Sequence, residues 1–158
     1  MRLLQKLDQR KYVPLVACDY RLAEVEKFFE REKINTVNLN VNPFSHTATS
    51  WKWHTPKGLL KMIRWSFFHF ARTRKGLIEI VKREKPHIIH FNGLSLLPYA
   101  TARRFFAVPI IQHIREPLNS GIFGLRRKIL RYIGKKFINH FVVICKTNYS
   151  DFFPVKNE

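Results

Sequence analysis

The sequence predicts an α/β fold, a parallel sheet with crossover helices on both faces. Three apolar runs in the second half each stop in a small polar cluster: His87–Phe91 before Asn92 and Gly93, Pro109–His113 before Arg115 and Glu116, and Phe141–Ile144 before Cys145 and Lys146. Helix-length segments separate these runs, and short apolar runs alternating with helices mark strands joined by crossovers. Sheets of this kind bind ligands beyond the carboxyl ends of their strands, so the three clusters are expected to share one crevice.

From the amino terminus, Leu3, Leu4 and Leu7 are spaced as on a helix over 1–10, and Tyr12–Ala17 reads as a buried strand. Arg21–Glu32 follows as a helix with Leu22, Val25, Phe28 and Phe29 inward, then Ile34–Val41 alternates as a strand. Asn42–Thr55 is polar and turn-rich, and Lys57–Lys82 supports one long helix or two shorter ones broken near Gly76. Pro98 suits the first turn of a helix running to Phe106. Gly121–Ile138 is the last full helix, with Ile122, Leu125, Ile129, Tyr132, Ile133 and Phe137 along one face.

With 158 residues, 46% of them hydrophobic, the chain can bury a sizeable core, and one domain is the default. No apolar run is long enough to span a bilayer, and Met1–Lys6 lacks the apolar core of a signal peptide. Cys18 and Cys145 have neither CxxC nor metal-ligand spacing, which favours reduced thiols over a zinc site. No HExxH, carboxylate pair or Ser/His/Asp set supports hydrolytic chemistry, and neither a metal nor a cofactor is expected.

The net charge of +18 implies an anionic partner. Since no acidic residue lies between Glu32 and Glu79 or between Glu116 and Asp151, the charge is built into structured faces rather than a tail. In Trp51–Gly76, Lys57, Lys61, Arg64, Arg72 and Lys75 fall on one helical stripe and Leu59, Leu60, Ile63, Phe67, Phe70 and Ala71 on another, with Trp51, Trp53 and Trp65 at the margins. That is the profile of a helix lying on an anionic membrane, with a core helix bearing a solvated cationic face as the alternative. Interleaved aromatic and basic residues also suit a nucleic-acid-binding module, although RNP-like, KH and zinc-finger patterns are missing.

Among groups able to do chemistry, His113, Arg115 and Glu116 close one strand, where they could bond hydroxyls or phosphate, or simply cap the strand with an ion pair. Asn92 can donate to and accept from a hydroxyl, and Gly93 permits close backbone approach or an ordinary turn. His90, inside its strand, reads as a packed residue.

Taken in order, Lys85–Gly93, Val108–Pro117 and Asn139–Lys146 resemble the amino-terminal, acceptor-side domain of family 4 retaining glycosyltransferases of the GT-B fold. The resemblance implies a Rossmann-like half lacking its usual first strand and its second domain, with 1–153 as that domain and 154–158 as the start of a linker. It implies transfer of a sugar from a nucleotide-sugar donor, held mainly by the second domain, to a lipid-linked or saccharide acceptor, with retention and without an essential metal. This chain would be inactive as an isolated fragment. His113 would be the catalytic histidine facing the donor sugar, and Asn92, Gly93, Arg115, Glu116 and Lys146 would bind substrate. Cys145 stands where the family usually has serine. The implied location is cytoplasmic, peripheral on the inner membrane, and a missing central strand would leave exposed strand edges.

Overall fold

The computed structural model describes residues 4, 6–8, 10–19, 23–39, 41, 55–64, 68–118 and 124–153. The protein is a mixed α/β chain with parallel strands. It divides into two compact units, Met1–Val41 and Asn42–Glu158.

In the first unit β1 (Leu15–Cys18), α1 (Ala23–Arg31) and β2 (Asn35–Asn38) form a strand-helix-strand repeat, with Leu15 opposite Asn35 and Cys18 opposite Asn38. Helix α1 carries Glu24 and Glu26 in its first turn and Arg31 in its last, the distribution the helix dipole favours. Lys33, at φ 54°, turns the chain out of the helix toward β2, and the Ile34 N–H donates to the Phe29 carbonyl. Half of the expected helix over 1–10 falls outside the described residues, and its described part ends in turns on the Asp8 carbonyl.

In the second unit α2 (Pro56–Arg64) and α3 (Phe70–Glu84) precede β3 (Ile89–Asn92), a 3-10 helix (Leu94–Phe105), β4 (Ile110–Ile114), α4 (Leu125–Phe137), β5 (His140–Val143) and α5 (Lys146–Phe152). Of the two readings of Lys57–Lys82, one long helix or two shorter ones broken near Gly76, the structure shows two helices, but the second runs unbroken through Gly76 from Phe70. Pro98 sits mid-element, where an α-helix would lose a bond and clash; the tighter 3-10 winding repeats every three residues and aligns Leu94, Leu97 and Ala100 on one buried edge.

Strands β3, β4 and β5 form a parallel three-stranded sheet in that order, with Asn92 opposite His113 and His113 opposite Val142. One face, Phe91 with Ile110, Gln112 and Ile114, is buried, and the 3-10 helix packs on β3 and β4. Gly134 of α4 lies so close to β5 that a Cβ there would sit 3.1 Å from the Phe141 ring. Side chains of the other face, His90, Asn92, Ile111, His113, His140 and Val142, are half-buried or exposed.

These features correct two expectations. The strands form a two-stranded and a three-stranded sheet rather than one of five, and the described helices of its own unit that pack on the larger sheet lie on one face of it rather than both. The reason lies in β3 and β5: a strand buried on both faces is apolar throughout, whereas here polar His90, Asn92 and His140 alternate with Phe91 and Phe141. On α4 only part of the expected inward stripe holds, with Phe137 buried and Ile133 half-buried. Leu130, Gly134 and Phe137 are buried, while Leu125, Ile129 and Tyr132 face solvent.

Candidate functional site

The carboxyl ends of β3 and β4 are tied together by backbone and side chain. The Gly93 N–H donates to the His113 carbonyl at 3.0 Å, and Gln112 Nε2 donates to the carbonyls of Gly93 at 2.8 Å and His113 at 3.1 Å. Gly93 adopts φ 125°, ψ 150°, a conformation that favours glycine, so the chain can leave β3 and enter the 3-10 helix without strain. The Leu94 N–H donates to Glu116 Oε2 at 3.1 Å, placing a carboxylate at the positive end of the 3-10 helix. A Cβ on Gly93 would lie 3.4 Å from Glu116 Oε1. Glu116, expected to bind substrate, thus has a cap's geometry in this structure.

Strand alternation puts His90, Asn92 and His113 on the open face, and the rings of His90 and His113 stack with centroids 5.7 Å apart and planes 17° from parallel. Partial burial holds the His113 imidazole below its ordinary titration range, with Arg115 adding to the depression and Glu116 opposing it. Burial also lowers His90, and His113 and Arg115 push it the same way. Both rings are therefore neutral at pH 7, each with one nitrogen free to accept and one to donate, which suits hydroxyl recognition better than anion pairing.

Asn92, Gly93, His113, Arg115 and Glu116 come together around the β3 and β4 exits. Lys146 opens α5 just beyond β5, exposed, at the same end of the parallel sheet and one strand further along. Cys145 precedes it, exposed and without a side-chain cap bond, while Cys18 is half-buried and burial raises its thiol. No cluster of metal ligands occurs among the described residues.

Of the expected membrane residues, Lys57 and Arg64 are exposed on α2 and Arg72 and Lys75 on α3. Lys75 pairs with Glu79 at 3.8 Å. The Lys61 side chain and Trp51, Trp53 and Trp65 lie outside the described residues. Leu60 and Ile63 are 59% and 42% exposed, so α2 presents apolar and basic groups together. No described helix is long and apolar enough to cross a membrane. A groove of about 440 Å³ runs along α3 between Phe70, Arg74, Ile78 and Lys82 and takes in none of the strand-end groups.

Two residues of the site escape sequence reasoning. His90 is exposed and stacked where a packed histidine is expected, and the spacing of two between His90 and Asn92 is the signal that they share a face. Gln112, fully buried, locks the two strand exits, and one polar residue between Ile111 and His113 gives no sign of that.

Comparisons with protein-family models, with curated proteins and with solved structures find no match.

Proposed function

We propose that this chain forms the acceptor-side wall of a retaining sugar-transfer cleft, the amino-terminal Rossmann-like half of a GT-B glycosyltransferase. One observation carries the reading: Asn92 and His113 stand opposite each other at adjacent strand ends, with His90 stacked on His113. Neutral imidazoles and a primary amide on an open surface are hydroxyl-binding groups, as an acceptor saccharide requires. In the complete enzyme His113 faces the transferring sugar and strengthens its contact as positive charge develops there, while Arg115 and Lys146 bind anionic parts of the substrates. The nucleotide-sugar donor sits mainly on a second domain, and the acceptor is lipid-linked or a polysaccharide. Exposed Leu60, Ile63, Lys57 and Arg64 on α2 support work at an anionic membrane, on the cytoplasmic face of the inner membrane.

The test is an NMR titration of the histidine-labelled chain with a panel of saccharides and lipid-linked saccharides, with and without nucleotide sugars. Saccharide-dependent shifts at His113 and His90, lost in Asn92→Ala, are expected. A panel that moves neither ring overturns the reading.

A further inference from the structure

Helix α4 has two apolar sides. Leu130, Gly134 and Phe137 are buried, and Gly134 lies against Phe141 of β5. On the other side Leu125, Ile129 and Tyr132 are 59%, 49% and 58% exposed. Their spacing of four and three residues makes them one ridge along the helix, about 10 Å long at the α-helical rise. Contiguous exposed apolar side chains on a helix mark an interaction surface.

The cations around this ridge sort by direction. Arg127 donates from Nη2 to the Leu118 carbonyl at 3.3 Å and Arg131 from Nη2 to the Ser150 carbonyl at 3.4 Å, while burial depresses Arg126. Lys128, Lys135 and Lys136 are exposed, and Lys136 Nζ donates to the Tyr132 hydroxyl at 2.9 Å. No acidic residue occurs between Glu116 and Asp151. The outer side therefore offers two aliphatic side chains, one tyrosine and lysines.

We infer that the outer side of α4 is a membrane contact, lying flat on an anionic bilayer with Leu125, Ile129 and Tyr132 at the acyl boundary and Lys128, Lys135 and Lys136 among the headgroups. Charge complementarity selects the occupant, since lysine stems run along apolar surface while their ammonium groups reach anionic headgroups. Tyrosine suits the same boundary, with its ring in the apolar layer and its hydroxyl in the polar one. A nucleic acid would leave the Leu125 and Ile129 side chains without a use, and the arginines that read phosphates bidentately are turned toward backbone carbonyls. This contact is separate from the one on α2 and does not rest on the sugar-transfer reading.

Flotation with phosphatidylcholine vesicles, alone or with about a third phosphatidylglycerol, tests it on the whole chain. Three variants are compared: Leu125→Ser/Ile129→Ser/Tyr132→Ser, Lys128→Gln/Lys135→Gln, and Leu60→Ser/Ile63→Ser on α2. Circular dichroism and thermal melts establish that each folds, as expected for outward positions. Wild type is expected to float only with anionic vesicles, the lysine pair to lose roughly fivefold in partitioning per charge removed, and the ridge triple to lose at least tenfold. Retained flotation in the folded ridge triple, with loss confined to the α2 variant, overturns the inference. So does a wild type that ignores anionic vesicles, whether it instead shifts RNA or DNA or dimerises through the ridge.

Discussion

Gln112 lies fully buried between β3 and β5, and replacing it by methionine or by glutamate should have opposite consequences. Its Nε2 bridges the Gly93 and His113 carbonyls, while its Oε1 is buried and meets no donor among the described residues. Gln112→Met removes two hydrogen bonds of about 1 kcal/mol each. Each carbonyl keeps another donor, the Leu96 N–H at 3.3 Å for Gly93 and the Gly93 N–H at 3.0 Å for His113, so neither is left bare. Removing the orphan oxygen returns about 1–3 kcal/mol, and the sum lies within about 1 kcal/mol of zero. Gln112→Glu keeps the shape but turns a donor toward two carbonyls into a buried carboxylate. The group must protonate or unfold the site, at about 3–5 kcal/mol near neutral pH. Its folded-state pKa is raised, so the cost grows as pH rises above the unfolded carboxyl value of about 4.3, by about 1.4 kcal/mol per pH unit until the folded pKa is reached. Urea midpoints at pH 5 and pH 7.5 read both effects. A Gln112→Glu protein matching wild type at pH 7.5, or a Gln112→Met protein weaker by more than about 2 kcal/mol, would refute the bridging geometry.

Two further outcomes follow from the same strand ends. Glu116→Ala should uncap the buried Leu94 N–H and cost about 1–2 kcal/mol, with Glu116→Gln recovering most of it, read by thermal melts; equal melts for Glu116→Ala and wild type would dismiss the cap. The pKa values of His90 and His113 are lowered on folding, so the folded chain binds fewer protons than the unfolded one. Their contribution to stability is present above about pH 6.5 and is lost as pH falls through it. The urea midpoint should drop between pH 7.5 and 5.5, and less so in His90→Asn/His113→Asn; an identical drop in that variant would place the protons elsewhere.

The strands β3, β4 and β5 were legible because each couples an apolar run to a polar stop, and parallel pairing then puts Asn92 opposite His113. What periodicity could not decide was direction. On α4, Leu125, Ile129 and Tyr132 form as good an apolar stripe as Leu130, Gly134 and Phe137, and only the contact with Phe141 shows which is inward. Gly134 looks like a weak helix position in sequence, yet it marks the packed side because only a residue without a side chain lets the helix come so near the ring. In β3 the run from His87 to Phe91 reads as doubly buried until His90 and Asn92 are taken together as one outward row. The units Met1–Val41 and Asn42–Glu158 depend on which strands pair, which no local pattern encodes.

The open face of the β3–β4–β5 sheet also shapes how copies of the chain meet in solution. At pH 7 a molecule of charge +18 repels its own kind. Across Ile88, His90, Asn92, Ile111, His113, His140, Val142 and Ile144 it carries no formal charge at pH 7, so these residues add nothing to that repulsion, and Ile144, 62% exposed, adds stickiness. Acid changes this by protonating His90 and His113, which titrate below the ordinary histidine range, so lowering the pH trades folding stability for colloidal separation.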